Sequence, residues 1–534
     1  MKKKLLCLLM AGTMMVSVCG CGGEVENVAT TESSVVEGTD VEAETPTAEP
    51  EQLVTEPIEI AKSELGNPIG GFNAEGELTY GGDPSVLVDG DTVYLYTGRD
   101  TAVGDAYLIP DYQCYSTTDL VNWTYEGVVL SMSDVTWADR NAAWAGQVAK
   151  HYDAEAGKDM YYFYFCSWDK TDKGKQSIGV AVSESPTGPF TDIGEALVKG
   201  SFTTDETSAW NDIDPTVWIE KDETGEEHRY LCWGNSKLYM CELNEDMISV
   251  KDYDGDGEIL FDADVRKQSM PTLFTEAPWL YRRQDENGNY YGDYYLFYAY
   301  GWREQLAYAT AGTLMKSSWE FQDYLMDPTA TSNTNHPAVF DFQGKTYMIY
   351  HNGSLPHGNG YRRVACIEEL QIDDDGYVNF VTETATGISG VKSTLTAANG
   401  EVLAHAWFVN SGADTAYPYT NVELGSNLDK AKVDDAAWEI VPGKADEENV
   451  YYVSIEAYNK PGLYITASEG AVGLTQDTTG KMADVQTFKT VKGLSGEGVS
   501  FESVAFAGMY LTLTGGKASL TDGTDAAACS FVIE

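Results

Sequence analysis

Apolar and aromatic residues gather into five runs of strand length: VYLYTG (93–98), YYFYFC (161–166), YLCWGN (230–235), YYLFYA (294–299) and TYMIYHNG (346–353). The anchoring tyrosines Tyr94, Tyr162, Tyr230, Tyr295 and Tyr347 are spaced 68, 68, 65 and 52 residues apart. Each run follows a turn signal, as where Asp89-Gly90-Asp91 separates SVLV from TVYLY, and further short strands complete each unit. Four-stranded units recurring at such a period predict radial repetition, and no long amphipathic pattern interrupts them. The fold class expected is all-β, with a five-bladed β-propeller.

The strand preceding each run opens on a marked residue: Asp83-Pro84, Trp144-Ala145, Asp214-Pro215, Glu276-Ala277-Pro278 and His336-Pro337. An isolated Asp-Pro is ordinary turn chemistry. Matching places in successive repeats are not required for turns, and in a propeller such places circle one axis. Three carboxylic acids and a histidine are thus expected at one mouth. Clustered carboxyls cannot all ionise cheaply, so at least one holds its proton at neutral pH, and burial beside Trp279 and Tyr281 pushes Glu276 that way. Asp83 follows Gly81-Gly82, which leaves room for a water. Asp212 and Asp214 alternate onto one strand face, so either is a candidate. A proton donor beside an ionised carboxylate is what cleavage of a glycosidic bond requires.

Beyond about residue 390 the pattern changes. VSIEAYNKPGLYITAS (453–468) and VSFESVAFAGMYLTLT (499–514) are offset copies, with Tyr464 and Tyr510 46 residues apart. Each copy ends near a phenylalanine, in QTFKTV and CSFVIE, and Trp438 in AAWEIV reads as a degenerate first copy. Three such repeats predict a β-trefoil-like domain. The expected organisation is 1–20 signal peptide, 21–62 acidic tether, 63–392 propeller and 393–534 trefoil.

Those first segments rest on composition. Lys2-Lys3-Lys4 precedes an apolar stretch too short to span a membrane, and Val18-Cys19-Gly20-Cys21 resembles a bacterial lipobox, which implies lipidation at Cys21. Residues 22–60 hold almost no aromatics and no Lys or Arg, too little apolar surface to order themselves. The protein is therefore expected outside the cell, at its surface, anchored to the membrane by lipid. A net charge of −50 excludes nucleic acid as a partner, whereas 12% aromatic content suits stacking on sugar rings. Cys114, Cys166, Cys232, Cys241, Cys366 and Cys529 show no metal spacing; a Cys232–Cys241 bridge stays open. The Asp-rich stretches at 252–256 and 373–375 read as solvated turns.

Between about residues 68 and 390 the sequence resembles glycoside hydrolase family 43, a family of inverting five-bladed propeller enzymes. GGDPSV resembles its general-base motif, DIDPTVWIEKD its middle-aspartate motif and TEAPWLYRR its general-acid motif. The resemblance implies Asp83 as base, Glu276 as acid and Asp214 as the group that orients Glu276. It also implies His336 near the axis, with a calcium ion or its waters beside it, and Arg363 on sugar hydroxyls, Arg362 being the alternative. Trp144 would wall the pocket. Arg99, where relatives often carry His, would border it. VNWT, IGVAVSESPTGPF and LPHGNGYRR resemble arabinoxylan arabinofuranohydrolases and related β-xylosidases, and VSFESVAFAGMYL resembles the arabinose-binding trefoil of arabinofuranosidases. The implied function is removal of α-L-arabinofuranosyl groups from arabinoxylan or arabinan, plant cell-wall polysaccharides, by a monomer needing no cofactor for the chemistry. The rivals are a β-xylosidase acting on xylo-oligosaccharides, a retaining fructan enzyme and a glycan-binding lipoprotein without turnover.

Overall fold

A computed structural model describes residues 55–172, 174–203, 210–315, 318–408, 421–476 and 482–534. The signal segment, Cys21 and the tether up to residue 54 lie outside the described residues. The described residues form one compact unit.

Four antiparallel sheets of four strands and one of three follow in chain order, their first strands Tyr80–Asp89, Gly146–Asp153, Thr216–Lys221, Phe274–Gln284 and Ala338–Phe342. Each first strand contacts the next, and the fifth contacts the first, which closes a five-bladed ring. The aromatic runs are the second strands. Their side chains fill the spaces between blades: Tyr164 is buried between blades two and three, Phe297 between blades four and five, and Tyr94 packs beside Phe163. Gly90, at φ 63°, takes the tight turn that the first hairpin needs.

Blade five has three strands of its own. Ile69 pairs with Ala365 as a partner on its outer side, and the adjacent Asn67 is buried. Asn67 Nδ2 donates to Ile367 O, Glu368 Oε1 and Thr384 O, while its Oδ1 accepts from Ile367 N at 2.8 Å. A segment before the first blade thereby clamps the last one.

The cysteines at 232 and 241 lie on adjacent strands but pair with Met240 and Leu231 respectively. Successive residues of a strand face opposite sides, so the two thiols point into different inter-blade cores, and both are free.

The C-terminal domain is a barrel. Strands Ser393–Ala397, Ala437–Pro442, Tyr452–Ala457, Phe488–Lys492, Val499–Ser503 and Phe531–Ile533 pair in that order and close back on the first. Three hairpins stand on it: Ala404–Phe408 with Asn421–Gly425, Leu463–Ser468 with Ala471–Gln476, and Tyr510–Thr514 with Lys517–Thr521. Trp438, Phe488 and Phe531 begin or nearly begin equivalent strands and meet in one core, which makes Trp438 the first repeat's counterpart of the two phenylalanines. Residues 57–62, expected to be tether, and Ser63, expected to open the propeller, pack on this barrel: Ile58 N donates to Thr490 O and Ser63 N to Ile440 O. Ile58 and Ile60 pack against the barrel core.

Replacing Asn67 by Ala strands its buried backbone and carboxylate partners, at about 1–3 kcal/mol for each partner that finds no water. Chemical denaturation should show the Asn67→Ala propeller unfolding about 3 kcal/mol less stable than wild type. An unchanged transition would mean that the clamp is not what holds the ring shut.

Candidate active site

Asp83, Asp214 and Glu276 sit at the starts of the first strands of blades one, three and four, and all three line one cavity of about 430 Å³. Local backbone aims them there. Asp83 (φ 52°), Asp214 (φ 59°) and Ala277 (φ 57°) are all left-handed and each directly precedes a proline. Strand pairing slips between Gly82 and Ser85 and again between Glu276 and Trp279. A bulge of this kind turns the strand and re-aims its side chains. The third site is shifted by one residue: the position equivalent to Asp83 and Asp214 is Ala277, and the acid precedes it. Left-handed backbone costs an alanine about 1–2 kcal/mol. It is partly offset because the turned Ala277 N–H donates to Asp214 Oδ2 at 2.9 Å. Asp214 therefore grips the backbone next to Glu276.

Asp83 is the carboxyl held ionised. Burial is the largest influence and pushes it up, but the lowering influences, led by the charge of the Arg363 guanidinium beside it, together outweigh burial and leave it below its ordinary value. Arg363, 2% exposed, donates from Nη1 to Asp83 Oδ1 at 2.6 Å and from Nε and Nη2 to the two oxygens of Asp100 at 2.9 and 3.0 Å. It also lies over the Tyr107 ring, 5.2 Å from the centroid. Gly82 makes room for this arginine: a Cβ there would fall 2.1 Å from Arg363 Cζ, while one on Gly81 would fall 2.3 Å from Thr97 Oγ1. From the other side, Asp83 N–H donates to His351 Nδ1 at 3.1 Å. That fixes the tautomer, leaving Nε2–H to donate to Thr334 O at 2.9 Å. Burial, helped by Arg363, pushes His351 down to about 3, so the ring is neutral.

The other carboxyls go the opposite way. Burial raises Asp214 well above the carboxylate range, with Glu276 and then Asp83 adding to it. Burial and Asp83 raise Glu276, against the Asn235 amide, whose Nδ2 donates to Glu276 Oε2 at 2.5 Å. Trp279 and Tyr281 contribute little here; both turn into the core toward blade five. Asp212 is settled as a structural residue. It accepts from Thr203 Oγ1 at 2.5 Å and Trp233 Nε1 at 2.7 Å, and does not line the cavity.

Trp144 lines the cavity, edge-on to Tyr107 and Trp168. Trp210 and Trp302, about half exposed, also line it. His336 is buried behind the cavity rather than in its lining, with Asp83 and Arg363 in its field, and burial pushes it down to about 4. Calcium takes six to eight oxygens, usually with several carboxylates. Among the described residues His336 stands in no cluster of three or more His, Cys, Asp or Glu ligand atoms, so such side chains alone would not hold an ion beside it. Arg362 is a strap, donating to the carbonyls of His357, Ala102 and Val103. Arg99 lies away from the cavity, in a two-pronged pair with Asp111.

Four further groups complete the site: Asp100, Asn235, Glu304 and His351. Asp100, Asn235 and His351 stand just past or at the ends of aromatic runs, and Glu304 falls in the turn after another. In an antiparallel hairpin the end of the second strand lies beside the start of the first, so these positions share the mouth. That was the available signal.

The profile of glycosyl hydrolases family 43 matches residues 79–378, and that of the alpha-L-arabinofuranosidase B domain matches residues 408–530. A xylosidase/arabinosidase of Bacteroides ovatus is 31% identical over 341 residues, 56% of this chain and 94% of that protein. An arabinoxylan arabinofuranohydrolase of Paenibacillus polymyxa is 26% identical over 424 residues, 73% of this chain and 63% of its own length. Among solved structures, an alpha-L-arabinofuranosidase from Clostridium thermocellum superposes with a TM-score of 0.44 at 27% identity, over 58% of this chain and 95% of that one.

His351 gives the fold a measurable acid sensitivity. Its folded value lies below the unfolded one, so between about pH 6.5 and 3 the unfolded chain binds the extra proton and stability falls with pH. Over pH 6.5 to 4 the unfolding free energy of wild type should lose about 3 kcal/mol more than that of His351→Gln. Parallel stability curves would mean that His351 is not held neutral.

Proposed function

Because the chain belongs to glycosyl hydrolases family 43, we propose that it removes single α-L-arabinofuranosyl groups from arabinoxylan or arabinan by one inverting displacement. The observation that carries this reading is the division of charge within one cavity. Asp83 lies below its ordinary value, while Asp214 and Glu276 lie above theirs. An inverting hydrolase needs that split, a carboxylate to activate water and a carboxylic acid to protonate the leaving oxygen.

In the proposed reaction Asp83 takes a proton from water, whose oxygen attacks the anomeric carbon. The bond from that carbon to the glycosidic oxygen breaks, and its electron pair goes to the oxygen, which receives the proton of Glu276. Asp214, through the Ala277 N–H, sets the angle of Glu276, and Glu276's own burial, with the Asp83 charge, keeps it protonated. Arg363 keeps Asp83 ionised, and Trp144 walls the sugar. His336 lies behind this set, without a part in proton transfer. Two carboxyl groups suffice, so the displacement draws on no cofactor.

The arabinofuranosyl preference is supported by the relatives' names, by the C-terminal domain profile and by a cavity of one-sugar scale with aromatic walls. The Bacteroides relative's double name keeps β-xylosidase activity as the second reading. We extend the proposal to the rest of the chain as read from its sequence: a cell-surface monomer lipidated at Cys21, tethered by an acidic segment, with a trefoil that holds arabinosyl side chains.

Side-by-side turnover of aryl α-L-arabinofuranoside and aryl β-D-xyloside should favour the former, and early NMR should show a product of inverted anomeric configuration. Glu276→Gln should lower kcat on arabinoxylan by 10²–10⁴-fold, with a smaller loss on aryl glycosides whose leaving groups need no proton. A retained configuration would overturn the mechanism, and faster xyloside turnover would overturn the substrate.

A further inference from the structure

The barrel touches the propeller at a loop that leads into the cavity. Residues 353 to 363 join the second and third strands of blade five and carry two cavity residues, Tyr361 and Arg363. The loop folds back on itself. Gly358 N donates to Leu355 O at 2.8 Å, and a Cβ on Gly358 would fall 2.4 Å from Gly353 O. Its returning leg turns tightly: Asn359 and Arg362 exchange backbone hydrogen bonds at 3.1 Å, and Tyr361 N donates to Asn359 Oδ1 at 2.8 Å. That turn brings the Tyr361 ring into the cavity lining, 4.8 Å from the Tyr107 ring between centroids.

Gln476 ends the barrel's second hairpin, paired across it with Leu463. Its Nε2 carries two hydrogens, and the loop takes both: Gly353 O and Gly358 O each accept at 2.7 Å. A single amide thus ties the outgoing leg to the returning one, just ahead of Tyr361. The backbone beside it fits the same loop. A Cβ on Gly462 would fall 2.8 Å from Ser354 Cα, and Gly462 N donates to the buried Glu456 Oε1 at 2.6 Å. We propose that Gln476 is a positioning residue for the cavity: from the barrel, it holds the loop in the shape that keeps Tyr361 in the sugar-binding wall. The barrel is then part of the framework of the active site, independently of any grip on polymer.

This rests on the cavity being the sugar site of the proposed reaction. A one-sugar aryl glycoside isolates the effect, because it presents no polymer for the barrel to hold. In the full chain, Gln476→Ala should raise KM for the aryl α-L-arabinofuranoside about tenfold and change kcat less than about threefold, since two hydrogen bonds that order the wall are lost. A merely structural role would not do this: a smaller folded fraction lowers the apparent kcat and leaves KM where it was. Gln476→Glu, of the same shape but with a carboxylate facing two carbonyls, should raise KM at least as far. In a Tyr361→Ala background, Gln476→Ala should move KM less than about twofold, because the group it positions is gone. Thr512→Val, which removes a 2.7 Å hydrogen bond to Thr521 from the third hairpin, should lower the melting temperature and leave KM unchanged.

KM unmoved in the Gln476 variants overturns the inference, and the Glu protein decides alone if the Ala protein does not fold. The full rise persisting in the Tyr361→Ala background overturns it too, as does an equal rise in Thr512→Val. Wild-type turnover separates the two levels. If wild type hydrolyses neither aryl glycoside, the reading of the cavity fails and the positioning with it. If it hydrolyses either one and the Gln476 variants keep its KM on that substrate, only the positioning fails.

Discussion

Arg363 carries a charge in a place with almost no access to water, and two carboxylates on different strands hold it there. Removing one partner of such a buried pair costs about 3–5 kcal/mol, because the remaining charge is left without compensation. That constraint reaches outward through the site. Asp100 takes both Nε and Nη2, which fixes the plane of the guanidinium, and the remaining Nη1 meets Asp83. The backbone at Gly82 has to yield its Cβ for the guanidinium to pass. With Arg363 so committed, the cation favours the carboxyl it touches and leaves the more distant ones to burial. The same interaction that makes Asp83 an anion therefore permits Glu276 and Asp214 to be acids.

The ring itself was legible in the sequence because its signal is local. Aromatic strands at a 52–68-residue spacing need only the two-residue alternation and short turns to be recognised, and the pairing register follows from which face is buried. The Asp-Pro marks were legible for the same reason. What alternation could not give was direction. Left-handed residues before three prolines break the alternation where it matters, so Asp212 and Asp214, which a regular strand would put on one face, separate into a core residue and a cavity residue. The one-residue offset at Glu276 has the same origin. Glu304 and Asp100 carry no turn signature, and their place depends on a hydrogen-bonded partner more than 20 residues away, which spacing does not encode.

The C-terminal barrel shows how far a repeat can drift while its core stays readable. A tryptophan replaces phenylalanine at Trp438, and the indole N–H then needs an acceptor, which Leu403 O provides at 2.9 Å. The first hairpin keeps its strands although its sequence diverged. This domain also bears on the propeller. Gln476 Nε2 donates to both Gly353 O and Gly358 O at 2.7 Å, bracing the loop that leads to Tyr361 and Arg363. A trefoil that only tethered the enzyme to polymer would have no need of that contact.

Barrel and cavity thus meet in one segment. The loop from 353 to 363 is held by the barrel at one end and by Asp100 at the other, where Arg363 N also donates to Asp100 Oδ2 at 2.9 Å. Loops far from regular pairing are ordinarily the mobile part of a propeller mouth. Here both ends are pinned by buried groups, and the guanidinium that sets the charge on Asp83 sits on the pinned side. Rigidity is what the electrostatics demand: a shift of an ångström at Arg363 would weaken the Asp83 pair and let burial neutralise it. The strained backbone turns, the glycine at 82 and the barrel contact are separate features of the sequence that serve one requirement, that a single cation stay fixed beside one of four acids.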